Sequence, residues 1–205
     1  MKNMVQQIIE ASHRLAGVTK RTPLQYSERL SEKFHANIYI KREDLQSVRS
    51  FKIRGAYNKM SSLNKAETTR GIVCASAGNH AQGVAQSCAL LQIRGSIFMP
   101  SITPSQKIAR VKHFGKGFID IKMAGNTFDE AVSAAKAYCK EQHAIYIHGF
   151  DDPYIIAGQG TIGKEIHEDL EGDVDIVVAS IGGGGLISGI AGYLKEKKPD
   201  CQIIG

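Results

Sequence analysis

The chain has no C-x-x-C pair: its four cysteines, Cys74, Cys88, Cys139 and Cys201, are scattered along the sequence. That spacing excludes a disulfide framework, and the apolar surroundings of Cys74 and Cys88 suit buried free thiols in a reducing compartment. The seven histidines show no ligand spacing either, so no metal site is expected. No apolar run approaches the roughly 20 residues of a membrane span. The opening MKNMVQQIIEASHRL reads as an amphipathic helix too polar for a secretory signal, which points to a soluble, cytoplasmic protein with no membrane partner. Repeats, low-complexity tracts and long linkers are missing too. Basic residues outnumber acidic ones, 26 to 20, for a net charge of +6, yet they are dispersed, and Glu196 interrupts even the cluster KEKKPD. Without a strip of interleaved basic and aromatic residues, no nucleic-acid partner is expected; a basic surface suited to anionic small molecules is the simpler account.

What is present is a regular alternation. With 205 residues, 42% of them hydrophobic, the chain can bury one sizeable core or two small ones. Strands are predicted near 37–41, 71–76, 96–100, 117–123, 144–148, 175–180 and 202–205. Helices fill the intervals, notably NHAQGVAQSCALL, PSQKIARVKHFG, TFDEAVSAAKAYCKEQ and LISGIAGYLKEKK. Such alternation implies an α/β fold with parallel sheet, whose ligands gather at the carboxyl ends of strands. The sequence stops at Gly205 on a strand with no covering helix behind it, so that sheet is expected to be incomplete in this chain.

Three stretches carry chemical content. SIGGGGLISG sets four glycines between the apolar run 174–179 and a helix. Strand, glycine loop and helix start together aim free N–H groups and a helix dipole at an anion, and a phosphate dianion is the natural guest. A tight turn packed on a neighbouring helix is the alternative, although it needs fewer glycines. In VRSFKIRGAYNKM, Ser50 can cap a helix with Phe51 and Lys52 in its first turn. A lysine there lies at the end of the helix dipole that disfavours cations, and Arg49 and Arg54 would crowd it. Only about one ordinary lysine in a few thousand is neutral at pH 7, so a reactive amine gains from burial and nearby positive charge. Position alone leaves open a solvated surface lysine. In CASAGNHAQG, Ser76, Ala77 and Gly78 would leave N–H groups free for a carboxylate, while Asn79 with Gln82 three residues on resembles a capping box. His80 reads as a helix residue rather than a catalyst. GQGTIGKE matches G-x-G-x-x-G and most of a P-loop, but Glu165 stands where a P-loop needs Ser or Thr, and no strand directly precedes it. A helix with small residues on its packing face explains it better.

SFKIRGAYNKM, SAGNHAQGVA, AGQGTIGKE and IGGGGLISGI, in that order, resemble the threonine dehydratase branch of the fold-type II pyridoxal-phosphate enzymes, from about Leu15 to the last residue. The resemblance implies two parallel-sheet α/β domains: a larger one from 1–54 and 152–205, incomplete here, and a smaller one from 55–151. It implies pyridoxal 5′-phosphate as cofactor, attached through Lys52 beside Phe51, with Asn79 contacting the 3′-oxygen of its ring. Its phosphate would lie on the backbone of Gly182, Gly183, Gly184, Gly185 and Leu186, and the substrate carboxylate on Ser76, Ala77, Gly78, Asn79 and His80. The implied reaction converts L-threonine to 2-oxobutanoate and ammonia in a homo-oligomer, with L-serine as an alternative substrate. Arg49 resembles the biosynthetic branch, where catabolic relatives usually carry glycine. Ala77 stands where serine racemases typically have a serine base, which favours elimination over racemisation. The family's partner for the pyridine nitrogen comes from further downstream, so 1–205 alone is expected to turn over threonine negligibly. A serine dehydratase or racemase-like enzyme, or an inactive phosphate-binding fragment, remain the alternatives.

Overall fold

The structure, a computed structural model, describes residues 3–205. At its centre is a four-stranded parallel sheet of β3 (Ile72–Ala75), β4 (Gly95–Met99), β5 (Ile119–Met123) and β6 (Ile145–Tyr146), in the order β5-β4-β3-β6. Ile72 pairs with Gly95 on one side and Ile145 on the other, and Gly95 pairs with Ile119. Every residue of β3 and β4 is buried, because helices cover both faces. The two-residue alternation of a strand sorts the side chains. Ile72, Cys74, Ile97 and Met99 join Val84, Ala85 and Cys88 of α5 (Asn79–Leu91), together with Val111 of α6 (Ser105–Gly115). Val73, Ala75 and Phe98 face the opposite way, onto Ala135 of α7 (Phe128–Glu141). Thr127 and Glu130 form a capping box at the start of α7, and left-handed Gln92 and Lys116 close α5 and α6.

A second apolar cluster joins both ends of the chain. Val5, Ile8, Ala11 of α1 (Met4–Leu15) meet Ala157, Ile162 and Ile166 of α8 (Pro153–Asp169), and Ile190 and Leu194 of α9 (Gly185–Lys197). The stretch GQGTIGKE lies inside α8, as expected of a packing helix. A Cβ on Gly158 would come within 2.7 Å of Arg54 O, one on Gly160 within 2.8 Å of Gly189 O, and one on Gly163 within 3.0 Å of Ile190 O. Beside this cluster β7 (Ile176–Val178) and β8 (Gln202–Ile204) form a parallel pair, leaving Ile176, Val178 and Ile204 exposed.

The strand expected at 37–41 is not part of a parallel sheet. It shortens to β2 (Tyr39–Lys41), which pairs antiparallel with β1 (Leu24–Tyr26), a strand that sequence patterning missed because it is only three residues long. α2 (Glu28–Phe34) connects the two. This pair is fastened to the helices by charge. Arg54, 1% exposed in α3 (Lys52–Ser61), donates to Glu43 at 2.7 and 2.9 Å and to Glu165 of α8 at 2.6 and 2.9 Å. Lys41 adds an ion pair to Glu165 at 2.7 Å. A buried guanidinium is tolerated only when paired and fully hydrogen-bonded, and Thr161 and the Lys20 carbonyl complete its set of acceptors. The short α4 (Lys65–Thr69), with its own Asn64–Glu67 capping box, then leads into the central sheet.

Candidate active site

Lys52 opens α3, but Ser50 does not cap it. Phe51 occupies the cap position without a side-chain bond, and the Ser50 hydroxyl is buried with no partner among the described residues. Arg49 before it has a left-handed φ of 60°, a conformation that favours glycine. The Lys52 side chain runs inward, and Nζ donates to the Gly149 carbonyl at 2.6 Å, 5.3 Å from the Phe51 ring centre. Helix α5 presses on the same turn: a Cβ on Gly83 would lie 3.1 Å from the Lys52 carbonyl. Burial lowers the Lys52 pKa from its ordinary value. The expected contribution from Arg54 is absent, because that guanidinium points to Glu43 and Glu165 and its charge is neutralised there.

The glycine run ends at α9, with Gly184 in the cap position at φ 85°. Three of the four glycines have a structural reason. A side chain on Gly183 would collide with the Phe150 ring, and a Cβ on Gly185 would lie 2.7 Å from Phe150 O. Gly184 needs its left-handed backbone, whereas a Cβ on Gly182 would meet open space. The backbone N–H groups of Gly182 to Leu186 find no acceptor among the described residues. They belong to the start of a 13-residue helix, where an anion would complete them.

These two features meet. Phe51, Lys52, Gly182, Gly183, Gly184, Gly185 and Leu186 line one pocket of about 150 Å³, together with Gly149, Phe150, Gln159 and Ser180. Sequence reasoning missed Gly149 and Phe150. The signal was available in HGFDDP, a glycine turn before an Asp-Pro helix start, and Asp152 does cap α8 with Pro153 behind it.

The segment Ser76–His80 lies at the end of β3 and is not part of that lining. Asn79 is the first residue of α5 rather than its cap. Gly78 holds the cap position, no capping box forms, and the Gln82 N–H bonds to the Gly78 carbonyl, since the residue before the helix already satisfies it. The Ser76 hydroxyl accepts the Gly78 N–H at 3.2 Å, while the amides of Ala77, Asn79 and His80 have no acceptor among the described residues. His80 ties this segment to the pocket wall. Its Nε2 donates to Ile147 O at 3.0 Å, and its ring lies 3.7 Å from where a Gly149 Cβ would be. Burial pushes the His80 pKa down to about 4, with the Lys52 charge adding to it against the opposing bond to Ile147. Among the described residues no cluster of His, Cys, Asp or Glu could hold a metal ion.

A lysine amine with a depressed pKa and a cradle of free amides in one pocket fit a phosphate-bearing aldehyde cofactor. The family model for pyridoxal-phosphate dependent enzymes matches residues 15–205. The chain belongs to that family. It is 53% identical over 200 residues to the biosynthetic L-threonine dehydratase IlvA of Bacillus subtilis, covering 98% of this chain and 47% of that protein. It superposes on the processed form of threonine deaminase isoform 2 from Solanum lycopersicum with a TM-score of 0.93 at 44% identity, covering 98% of this chain and 55% of the other. Maize serine racemase gives a TM-score of 0.93 at 32% identity, over 99% of this chain and 60% of that one. The chain thus spans about half the length of the curated relatives it matches. These comparisons agree with the α/β, parallel-sheet class expected from the sequence.

Proposed function

We propose that this chain carries the cofactor-holding part of a threonine dehydratase, which converts L-threonine to 2-oxobutanoate and ammonia. The observation that supports it most directly is that the Lys52 amine shares one pocket with the N–H groups of Gly182 to Leu186, which have no acceptor among the described residues. Lys52 would hold pyridoxal 5′-phosphate by its amine, Gly182 to Leu186 would take the phosphate, and Asn79 the 3′-oxygen. When bound, the cofactor supplies an electron sink for the substrate α-carbon. Lys52, once free and neutral, takes the α-proton at Nζ, and the low-dielectric pocket keeps that amine basic rather than charged. The electron pair left on the α-carbon forms a double bond to the β-carbon as the C–O bond breaks, and the proton taken at Nζ is returned to the departing β-hydroxyl, which leaves as water. Addition of one water then releases ammonia and leaves the keto acid. The free amides of Ala77, Asn79 and His80, with Ser76 and Gly78, would receive the substrate carboxylate. Ala77 offers no proton-transferring group, which favours elimination over racemisation.

In this reading residues 1–54 and 152–205 belong to the larger domain and 55–151 to the smaller, a division supported by the apolar cluster of α1, α8 and α9, whose buried members all come from 1–54 and 152–205. We place the protein in the cytoplasm as a homo-oligomer, with L-threonine, or alternatively L-serine, as substrate. No helix among the described residues is long and apolar enough to cross a membrane. Borohydride reduction after incubation with pyridoxal 5′-phosphate, followed by peptide mapping, should put the label on Lys52. A label on Lys41 or Lys164 would refute the assignment.

A further inference from the structure

The pocket has a wall that belongs to neither the lysine helix nor the glycine loop. Between β6 and α8 the chain makes a turn at 148–151, and two of its residues close the pocket. Gly149 presents its carbonyl to Lys52 Nζ, and Phe150 fills the space that Gly183 and Gly185 leave bare. What folds this turn back is a side chain outside the pocket. His148 Nδ1 accepts the Asp151 N–H at 2.8 Å and the Phe150 N–H at 3.3 Å. Its ring meets the Phe150 ring edge to face, 4.6 Å between centres at 84°, and approaches Tyr146 at 6.2 Å. Accepting both amides requires an unprotonated Nδ1, so the ring carries its proton on Nε2.

We propose that His148 is a positioning residue for this pocket: by gathering the Phe150 and Asp151 amides it holds the Gly149 carbonyl on the Lys52 amine and the Phe150 ring in the glycine loop. The amides would otherwise turn to water, and a short turn with two unsatisfied N–H groups has many other conformations. The carbonyl that orients Nζ and the ring that shapes the phosphate cradle are adjacent residues, so loosening one loosens both. Its importance for catalysis rests on reading Lys52 as the reactive amine; the placement of the turn does not.

The test compares variants that keep or lose the acceptor. His148→Asn retains an oxygen at the place of Nδ1, His148→Leu keeps bulk without an acceptor, and His148→Gln moves the acceptor one bond outward. Two readouts need no cofactor: amide exchange of Phe150 and Asp151 by NMR, and the rate of Lys52 reductive methylation by peptide mass spectrometry. In His148→Leu the amides should exchange at least tenfold faster and Lys52 should react at least threefold faster, as Nζ loses its carbonyl and gains solvent. His148→Asn should stay within twofold of the unmodified chain on both. Should His148→Leu not fold, His148→Gln replaces it with the same expectation. Faster exchange with unchanged Lys52 reactivity, or His148→Asn behaving like His148→Leu, overturns the proposal. A parallel arm adds pyridoxal 5′-phosphate to the unmodified chain. Absence of a Lys52 adduct there counts against the proposed function alone, whatever the variants show.

Discussion

Replacing His80 with glutamine should remove a large part of the chain's acid sensitivity. His80 is 7% exposed in α5, and burial is the main reason its pKa falls to about 4. In the unfolded chain it returns to an ordinary value of about 6.5. Between these values the unfolded state binds the proton and the folded state does not. Stability therefore rises with pH across this window, and it is lost as pH falls from about 6.5 towards 4. At about 1.4 kcal/mol per pH unit the full loss approaches roughly 3 kcal/mol, of which about 2 kcal/mol has gone by pH 5. Glutamine can still donate an N–H to Ile147 O but does not titrate, so it removes the linkage while keeping the bond. Urea unfolding of both proteins between pH 7.5 and 4.5 isolates the effect, because the other titrating groups cancel in the difference. The gap between the two should shift by about 2 kcal/mol, in the variant's favour, between pH 7.5 and pH 5. A gap that stays constant to within about 0.5 kcal/mol would refute the reasoning, and would mean that the folded state accepts the proton at little cost.

Gly184→Asp should abolish cofactor retention, measured by absorbance titration with pyridoxal 5′-phosphate. A carboxylate about 4 Å from a phosphate repels it by roughly 4 kcal/mol at an effective dielectric near 20, nearly a thousandfold in affinity. Normal binding by a folded variant would mean the loop is only a turn. Gly158→Ala puts a methyl 2.7 Å from both Arg54 O and Gly55 Cα, backbone atoms that cannot rotate away. Chemical denaturation should show a loss of about 1–3 kcal/mol. Arg49→Gly should act in the other direction, raising stability by up to about 1 kcal/mol, because it relieves a left-handed non-glycine residue. A lower unfolding midpoint for that variant would show that the Arg49 side chain makes a contribution larger than its strain.

Much of the secondary structure was legible because it is written in near neighbours. The buried runs at 72–75 and 95–99 and the capping box at Thr127 need no knowledge of the rest of the chain. The helix over GQGTIGKE was equally accessible, since its glycines fall on a packing face and its flanks rule out a nucleotide loop. Where reading failed at 37–41, a distant partner had intervened. The stretch 37–41 looked like a sheet strand, but three residues of it pair with Leu24–Tyr26, and an alternating pattern does not say which strand it will meet. Ser50 and Asn79 looked like caps, yet one is buried without a partner among the described residues and the other follows a glycine that takes the cap.

The same division holds at the site. Sequence by itself determined that the chain is α/β, that its glycine run ends a strand, and that Lys52 begins a helix, because each depends on local periodicity and backbone freedom. Tertiary packing alone decided what those pieces do together. It brought Gly149, 97 positions along the chain, and its neighbour Phe150 to the lysine, and so set both its hydrogen bond and the need for Gly183 and Gly185. It turned Arg54 away into Glu43 and Glu165, leaving burial rather than a neighbouring charge to depress the lysine. Desolvation and close approach arise only where remote segments exclude water from one another, and no window of neighbouring residues contains that information.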